Sequence, residues 1–216
     1  MEERATGIVL RTYPLTETSL IVHWLTREAG HLATVAKGAR RPNSAFRGKL
    51  DLFYKTQLCF SRSRRSDLHP LREVSVEDTH APLRRDYALL TQAVYAATLL
   101  ERLIERETPV PELFDLLESL LKALPQSPPS PRTMAGWELK VLATLGLGPD
   151  WNSGRVRTGT RALLEHCLEG TWDKIARLSF TAEQLHEAGL FLRRQIESAG
   201  IRPPSQRQSA WQIPDL

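Results

Sequence analysis

The chain has 216 residues, 41% of them hydrophobic and 25% charged, which is enough apolar material for one large core or two smaller ones and argues against a disordered chain. A formal charge of +4 and an isoelectric point near 9.3 say little as totals, and two cysteines are too few for a disulfide-stapled scaffold. The apolar runs fall short of the roughly 20 residues that cross a bilayer, and the opening MEERATG has no signal-like core, so a soluble cytoplasmic protein with free thiols at Cys59 and Cys167 is expected.

Taken in chain order, the first eighty residues carry strand patterns. GIVLRTY (7–13), SLIVHWLT (19–26), HLATVAKG (31–38), LDLFYKTQLCFS (50–61) and LHPLREVSVE (68–77) are short, rich in β-branched residues, and separated by turn residues such as Gly30. In the fourth run Leu52 and Tyr54 share a face, and Pro70 marks the start of the fifth as edge or bulge. Five short strands solve their edge problem best by closing, so a small barrel is predicted for residues 1–80. Trp24, in the most apolar run, is assigned to its core.

Beyond Pro82 the period lengthens to that of helices. Residues 83–107 keep Leu83, Tyr87, Leu90, Val94, Ala97, Leu100 and Ile104 three or four apart, which predicts one buried face. Pro109 closes that segment, and Pro111 opens a helix over 111–124 with Glu112 in its first turn. PQSPPSP (125–131) is a non-helical connection, and 132–148 is a helix stopped by glycine. Thr160 is placed as the cap of a helix running to Glu169, and 171–180 as a further short helix or turn. Thr181 with Gln184 forms a capping box at the head of the last helix, up to about residue 200. The tail 201–216 has no pattern, and its end, SAWQIPDL, is either disordered or docked on the protein's own helices. The expected organisation is a β + α chain: a five-stranded barrel domain (1–80), an all-α domain (81–200) and a C-terminal tail (201–216).

Charge is distributed unevenly between these parts. Residues 1–81 hold 13 basic and 9 acidic side chains, residues 82–216 hold 16 of each, and within 27–72 the ratio is 11 to 3. VAKGARRPNSAFRGKL (35–50) concentrates Lys37, Arg40, Arg41, Arg47 and Lys49 with no acid, and SRSRRSD (61–67) adds Arg62, Arg64 and Arg65. Singly, each fits an ordinary solvated surface. As two loops flanking one face of an oligonucleotide-binding (OB) barrel, they fit phosphate binding, with Phe46 as a stacking candidate or, alternatively, a plug of the barrel. Nothing in the sequence sets a nucleophile beside a base, and Lys37-Gly38 is no phosphate loop of the nucleotide-hydrolase kind. His23, His31, His69 and His80 are scattered and read as structural or solvated. Glu101 and Glu105 alternate with Arg102 and Arg106, which suggests pairing along the helix. His166-Cys167 lacks the partners of a zinc site. No catalytic residue, metal or cofactor is expected.

The stretch from Gly7 to Phe53 resembles the N-terminal barrel of the RecO family of bacterial recombination mediators. The Gly7-Ile8-Val9-Leu10 opening, the turn from Glu17 to Ser19, Thr26-Arg27-Glu28 followed by Gly30, Lys37-Gly38-Ala39-Arg40-Arg41, Arg47-Gly48 and Leu50 carry that resemblance. Trp137-Glu138-Leu139-Lys140 through Leu145-Gly146-Leu147-Gly148-Pro149 extends it into the helical half. It implies a non-enzymatic, nucleoid-associated protein that binds single- and double-stranded DNA and anneals strands. It also implies work with RecR, engagement of the acidic tail of single-strand binding protein, and help in loading the RecA recombinase. Arg132 and Lys140 are possible rim residues of a tail-binding groove, with Leu139 and Leu142 as its lining. One departure stands out. Many members carry a four-cysteine zinc module after the Leu-Gly-x-Gly-Pro segment, whereas DWNSGRVRTGTRALLEHCLEGTW has no Cys-x-x-Cys pair and residues 152–159 would shortcut it. An RNA-binding or translation-associated OB protein and a pure interaction scaffold are the other classes compatible with the footprint.

Overall fold

In the computed structural model, which describes residues 2–151 and 156–212, the alternating runs become β1 (Glu2–Pro14), β2 (Leu20–Thr26), β3 (Gly30–Ala36), β4 (Lys55–Ser61) and β5 (Leu68–Asp78). They close in the order β1-β2-β3-β5-β4, with β4 returning to β1. All pairs are antiparallel except β3 with β5, a short parallel seam joining Ala33, Thr34 and Val35 to Leu68, His69 and Pro70. This is the OB barrel. Pro70, with no N–H to donate, sits at the end of that seam, and the β4–β5 register shifts beside it, between Cys59 and Phe60.

Alternation explains the interior. Ala5, Val9, Val22, Trp24, Leu32, Leu58, Phe60, Leu71 and Val74 point inward and form one core. Trp24 is fully buried, and its Nε1 donates to Thr34 Oγ1 at 2.8 Å, so the one polar atom of the indole is satisfied. A Cβ on Gly7 would lie 2.7 Å from Leu58 and 3.2 Å from Trp24, so the Leu58 side chain and the indole together fill the space beside it.

Two strand boundaries differ from the expectation. β1 starts at Glu2 because its first half pairs with β4 from Glu2↔Ser61 to Ile8↔Lys55, a partner 47 to 59 residues away that no local pattern reveals. β4 starts at Lys55 because Phe53 turns the chain at φ 62°; its N–H bonds Val9 O and its carbonyl accepts from His80 Nδ1. Phe53 is buried and Tyr54 packs against the core, so neither aromatic faces outward.

The compact unit that contains the barrel comprises residues 1–81 together with 104–118. Arg106 bridges His31 in parallel, and Glu107 N–H bonds His31 O at 2.9 Å. Asp115 and Glu118, on α2 (Pro111–Ala123), pair with Arg27 and Lys55. A Cβ on Gly30, at φ 69°, would come within 2.2 Å of Thr108 O, so only glycine fits this approach.

The second unit comprises residues 82–103 and 119–216. Its helices are α1 (Tyr87–Leu103), α3 (Pro131–Thr144), α4 (Thr158–Glu169), α5 (Trp172–Arg177), α6 (Ala182–Ser198) and α7 (Arg207–Trp211). α3 is the hub, touching α1, α4, α5, α6 and α7. Ser130 caps it and Pro131 takes its first position, while Gly146 at φ 72° stops it. The capping box of α6 forms as expected, with Thr181 and Gln184 bonding each other's backbone N–H.

Four helical expectations are corrected. α1 starts at Tyr87, because Asp86 Oδ1 accepts the Ala88 N–H at 2.7 Å, and it ends at Leu103. Of the predicted face, Leu83, Ala97, Leu100 and Ile104 are buried and Leu90 and Val94 half-buried, but Tyr87 is 85% exposed, and the buried surface of α1 widens to Leu89, Gln92, Ala93, Tyr95, Ala96 and Leu99. Among the described residues the two arginines do not follow the expected pairing along the helix: Arg102 donates to Arg202 O and Arg106 pairs with Asp67. Thr160 lies inside α4, its hydroxyl bonded to Glu187, rather than capping it. Of the two readings of the tail, the docked one holds for Ser209–Trp211, which end α7 with Ala210 and Trp211 buried, whereas Asp215 and its neighbours lie outside the described residues, as do 152–155 of the expected shortcut.

α7 is held by a buried charge network. Arg207 Nε and Nη2 donate to the two oxygens of Glu138 at 2.9 and 3.0 Å, and Nη2 also reaches Gly189 O. Tyr95 O–H and Trp211 Nε1 donate to Glu138 Oε1 at 2.5 and 2.6 Å. Burial and the Glu138 charge push the Tyr95 hydroxyl well above its usual range. Burial alone would lower Arg207, but the Glu138 carboxylate outweighs it and the guanidinium is held more firmly protonated.

Candidate nucleic-acid interface

The segment between β3 and β4 is a chain of turns. Arg41 N–H bonds Gly38 O, Ser44 and Arg47 bond back to Arg41 O and Ser44 O, and Lys49 bonds Phe46 O, all at 3.0–3.1 Å. Arg40 N–H reaches across to Thr18 O at 2.9 Å, which fastens the segment to the β1–β2 turn. Gly38, at φ 69°, makes the first reversal possible. The backbone is therefore held while the side chains project.

Lys37, Arg40, Arg41 and Arg47 are exposed and Lys49 half-buried, and among the described residues none of the five makes an ion pair. Arg40 and Arg47 each donate once to a backbone carbonyl, of Thr16 and Pro42, which leaves most of their five N–H groups available. Phe46 is half-buried and packs against the barrel core, closer to the plug than to a free stacking ring.

The second basic loop separates into two kinds. Arg64 and Arg65 are exposed and likewise unpaired among the described residues. Arg62 is clamped: Nε and Nη2 donate to the two oxygens of Glu3 at 2.7 and 2.9 Å, and Nη1 to Glu107. The hydrogen bonds from Arg62 hold the Glu3 carboxyl below its usual value, and Glu3 raises Arg62 in turn. A guanidinium already neutralised by two carboxylates is a poor phosphate ligand, so Arg62 is removed from the candidate set. Glu107 also bonds His69 Nε2 at 2.9 Å, and that ring stacks on Phe60. His23 Nδ1 and His31 Nε2 approach each other at 3.4 Å, and all four barrel histidines are buried.

Two cations were missed in the sequence. Lys49 and Phe46 line a depression of about 430 Å³ together with Arg4, Gln57, Cys59 and Arg72. Arg4 lies opposite Cys59 across β1–β4, exposed and unpaired among the described residues. Arg72 donates to Ser61 Oγ at 2.8 Å and lies 4.0 Å from Glu2. Only the non-local register brings these residues beside Lys49; the outward alternation of Arg4 was the one available signal.

In the helical unit, Leu139 and Leu142 are fully buried in α3, so they are core and cannot line a groove. Lys140 Nζ donates to Leu168 O at 2.6 Å near the Trp172 ring, and burial lowers its pKa. Arg132 donates to Ser130 Oγ at 2.8 Å and to Leu178 O. It does line a cleft of about 470 Å³, whose other walls include Leu124, Pro128, Trp172 and Arg177.

Comparison with known proteins gives the lineage. The family model described as the N-terminal part of recombination protein O matches residues 1–80, and that of its C-terminal part matches 84–161. The chain belongs to the RecO family. The DNA repair protein RecO of Anaeromyxobacter dehalogenans (strain 2CP-C) is 37% identical over 146 residues, covering 68% of this chain and 58% of that protein. The RecO of Exiguobacterium sibiricum is 32% identical over 152 residues, 70% of this chain and 60% of its own, and that of Burkholderia orbicola 39% over 140, 65% and 49%. The chain thus spans less than two thirds of the length of these RecO relatives. The matched residues include the basic segment 37–49 and all of α3.

Proposed function

We propose that the chain is a DNA-binding, strand-annealing mediator of repair and recombination, with the barrel segment 37–49 as its phosphate-holding surface. The observation that carries this reading is five cations on one backbone-locked segment with no ion pair among the described residues. The relatives are named DNA repair proteins, and the OB barrel is a common platform for single strands.

Lys37, Arg40, Arg41, Arg47 and Lys49 neutralise backbone charge, with Arg64, Arg65, Arg4 and Arg72 extending the positive surface. Each phosphate neutralised on a single strand contributes about −0.7 to the slope of log affinity against log salt. Lowered repulsion between two bound strands then favours their pairing, a process that needs no bond cleavage by the protein. The cleft at Arg132, Trp172 and Arg177 is the place we assign to an acidic partner tail, as carried by single-strand binding protein; two guanidinium groups against the single carboxylate of Asp173, and an indole beside prolines, suit a carboxylate next to an apolar side chain.

The test is Arg40→Glu with Arg41→Glu. Oligonucleotide affinity and annealing rate should fall by at least ten-fold, with a shallower salt slope and unchanged thermal stability. Unchanged salt-titrated affinity would refute the site, and preference for RNA over DNA in competition would redirect the reading to an RNA-binding barrel.

A further inference from the structure

We propose that the helical unit carries a separate phosphate-binding site, in the cleft between the end of α1, α6 and the segment leading into α7. This cleft, of about 400 Å³, is lined by Arg102, Arg193, Arg202 and Arg207, with Ser205 and Gln208 beside them, and among the described residues no acidic side chain lines it.

Arg207 and Arg193 are paired with Glu138 and Glu197, so among the described residues Arg102 and Arg202 carry the uncompensated charge of the cavity, and an anion there would offset their repulsion. The known pairings leave capacity for it. Arg193 pairs with Glu197 through Nε at 2.9 Å, and Arg102 donates one bond, from Nη1 to Arg202 O at 2.8 Å. Arg202 has no hydrogen bond or ion pair for its side chain among the described residues. Each guanidinium carries five donors in a planar fork that matches phosphate oxygens two at a time.

A second, independent observation comes from Arg207. Its side chain is only 3% exposed, and while Nε and Nη2 are bonded, Nη1 is buried with no partner among the described residues. A buried charged donor left without an acceptor is costly and uncommon in a folded protein, and the residue that carries it is one of those lining the cleft. Pro203 and Pro204 stiffen the wall that carries Arg202, and Ser205 and Gln208 add neutral donors. A compact tetrahedral oxyanion suits this donor set better than a carboxylate, because the donors converge from three separate elements. The chemistry is that of a phosphate, supplied either by a free phosphoanion or by a nucleic-acid backbone. The site is independent of the barrel, so it stands whether or not segment 37–49 binds DNA.

The experiment is calorimetric titration of the full chain with inorganic pyrophosphate at low salt. Four proteins are compared: wild type, Arg202→Ala, Arg102→Ala with Arg202→Ala, and the barrel variant Arg40→Glu with Arg41→Glu. Arg202→Ala removes an unbonded side chain and keeps the test valid if the double variant unfolds. Pyrophosphate should bind wild type and the barrel variant alike, and at least ten-fold more weakly to Arg202→Ala. Equal binding to wild type and Arg202→Ala, or no binding to wild type, would overturn the proposal. Adding a single-stranded oligonucleotide to the pyrophosphate complex identifies the source: displacement points to backbone phosphate, and undisturbed binding to a free phosphoanion. Loss of oligonucleotide binding in the barrel variant with pyrophosphate binding retained separates this site from the barrel reading.

Discussion

Arg207 in the helical unit and Arg41 in the barrel unit carry the same side chain into opposite environments. Arg207 is inside the protein, clasped by both oxygens of Glu138 and tied to a backbone carbonyl; Arg41 projects into solvent from a turn and pairs with no acid among the described residues. A buried charge is tolerable only with its partner in place, so the first arrangement is dictated by the fold. An exposed charge with no ion pair adds little to folding, and on this locked segment four exposed cations and the half-buried Lys49 have none among the described residues. Arg62 lies between the two, part-exposed yet held by Glu3 and Glu107.

The widest test of this contrast is Glu138→Ala, which strands Arg207 in the core and should cost about 3–5 kcal/mol in urea unfolding. A loss under about 1 kcal/mol would mean the network is dispensable. Next is Gly30→Ala, which combines a positive φ with a clash against Thr108 O and should cost about 1–3 kcal/mol, most of it in the barrel unit. Smaller again, Arg62→Ala should lower stability by about 0.2–1 kcal/mol for each exposed pair lost and leave oligonucleotide affinity nearly unchanged. The reverse pattern, affinity lost and stability kept, would return Arg62 to the DNA surface. Smallest near neutral pH is the effect of Cys167. Burial pushes its thiol up to about 12 from an ordinary value of 9.0, so the native state keeps a proton that the unfolded chain loses. Its contribution is full below pH 9 and is lost as pH rises from there toward 12. Thiol labelling at pH 8 should be blocked in the native protein and complete in urea, and rapid native labelling of Cys167 would contradict its burial.

Much of the barrel was legible because alternation is local: all five strands lie where β-branched runs occur, and Trp24 is the core residue its surroundings suggest. The capping box at Thr181 was legible for the same reason, since both of its bonds join residues three apart. What escaped was non-local. Arg62 looked free because Glu3 and Glu107 lie 59 and 45 positions away. Leu139 and Leu142 could not be sorted between core and groove by spacing, since a hub helix is apolar on most sides. Arg207 and Trp211 sit in a stretch with no period, and their burial depends on Glu138, about seventy residues earlier.

The participation of residues 104–118 in the barrel unit bears on how the protein is made. His31 O has its partner in Glu107, His69 has its carboxylate there too, and Arg27 and Lys55 find Asp115 and Glu118 on α2. During synthesis the five strands emerge well before these partners, and the first stretch of the helical unit is translated in between. The barrel therefore reaches its full set of bonds only once residue 118 is free of the ribosome, and the early chain must wait with those groups in water. For the same reason a fragment ending at residue 81 would be a poor surrogate for the native barrel, whereas one that retains residues through Glu118 keeps every bond named here.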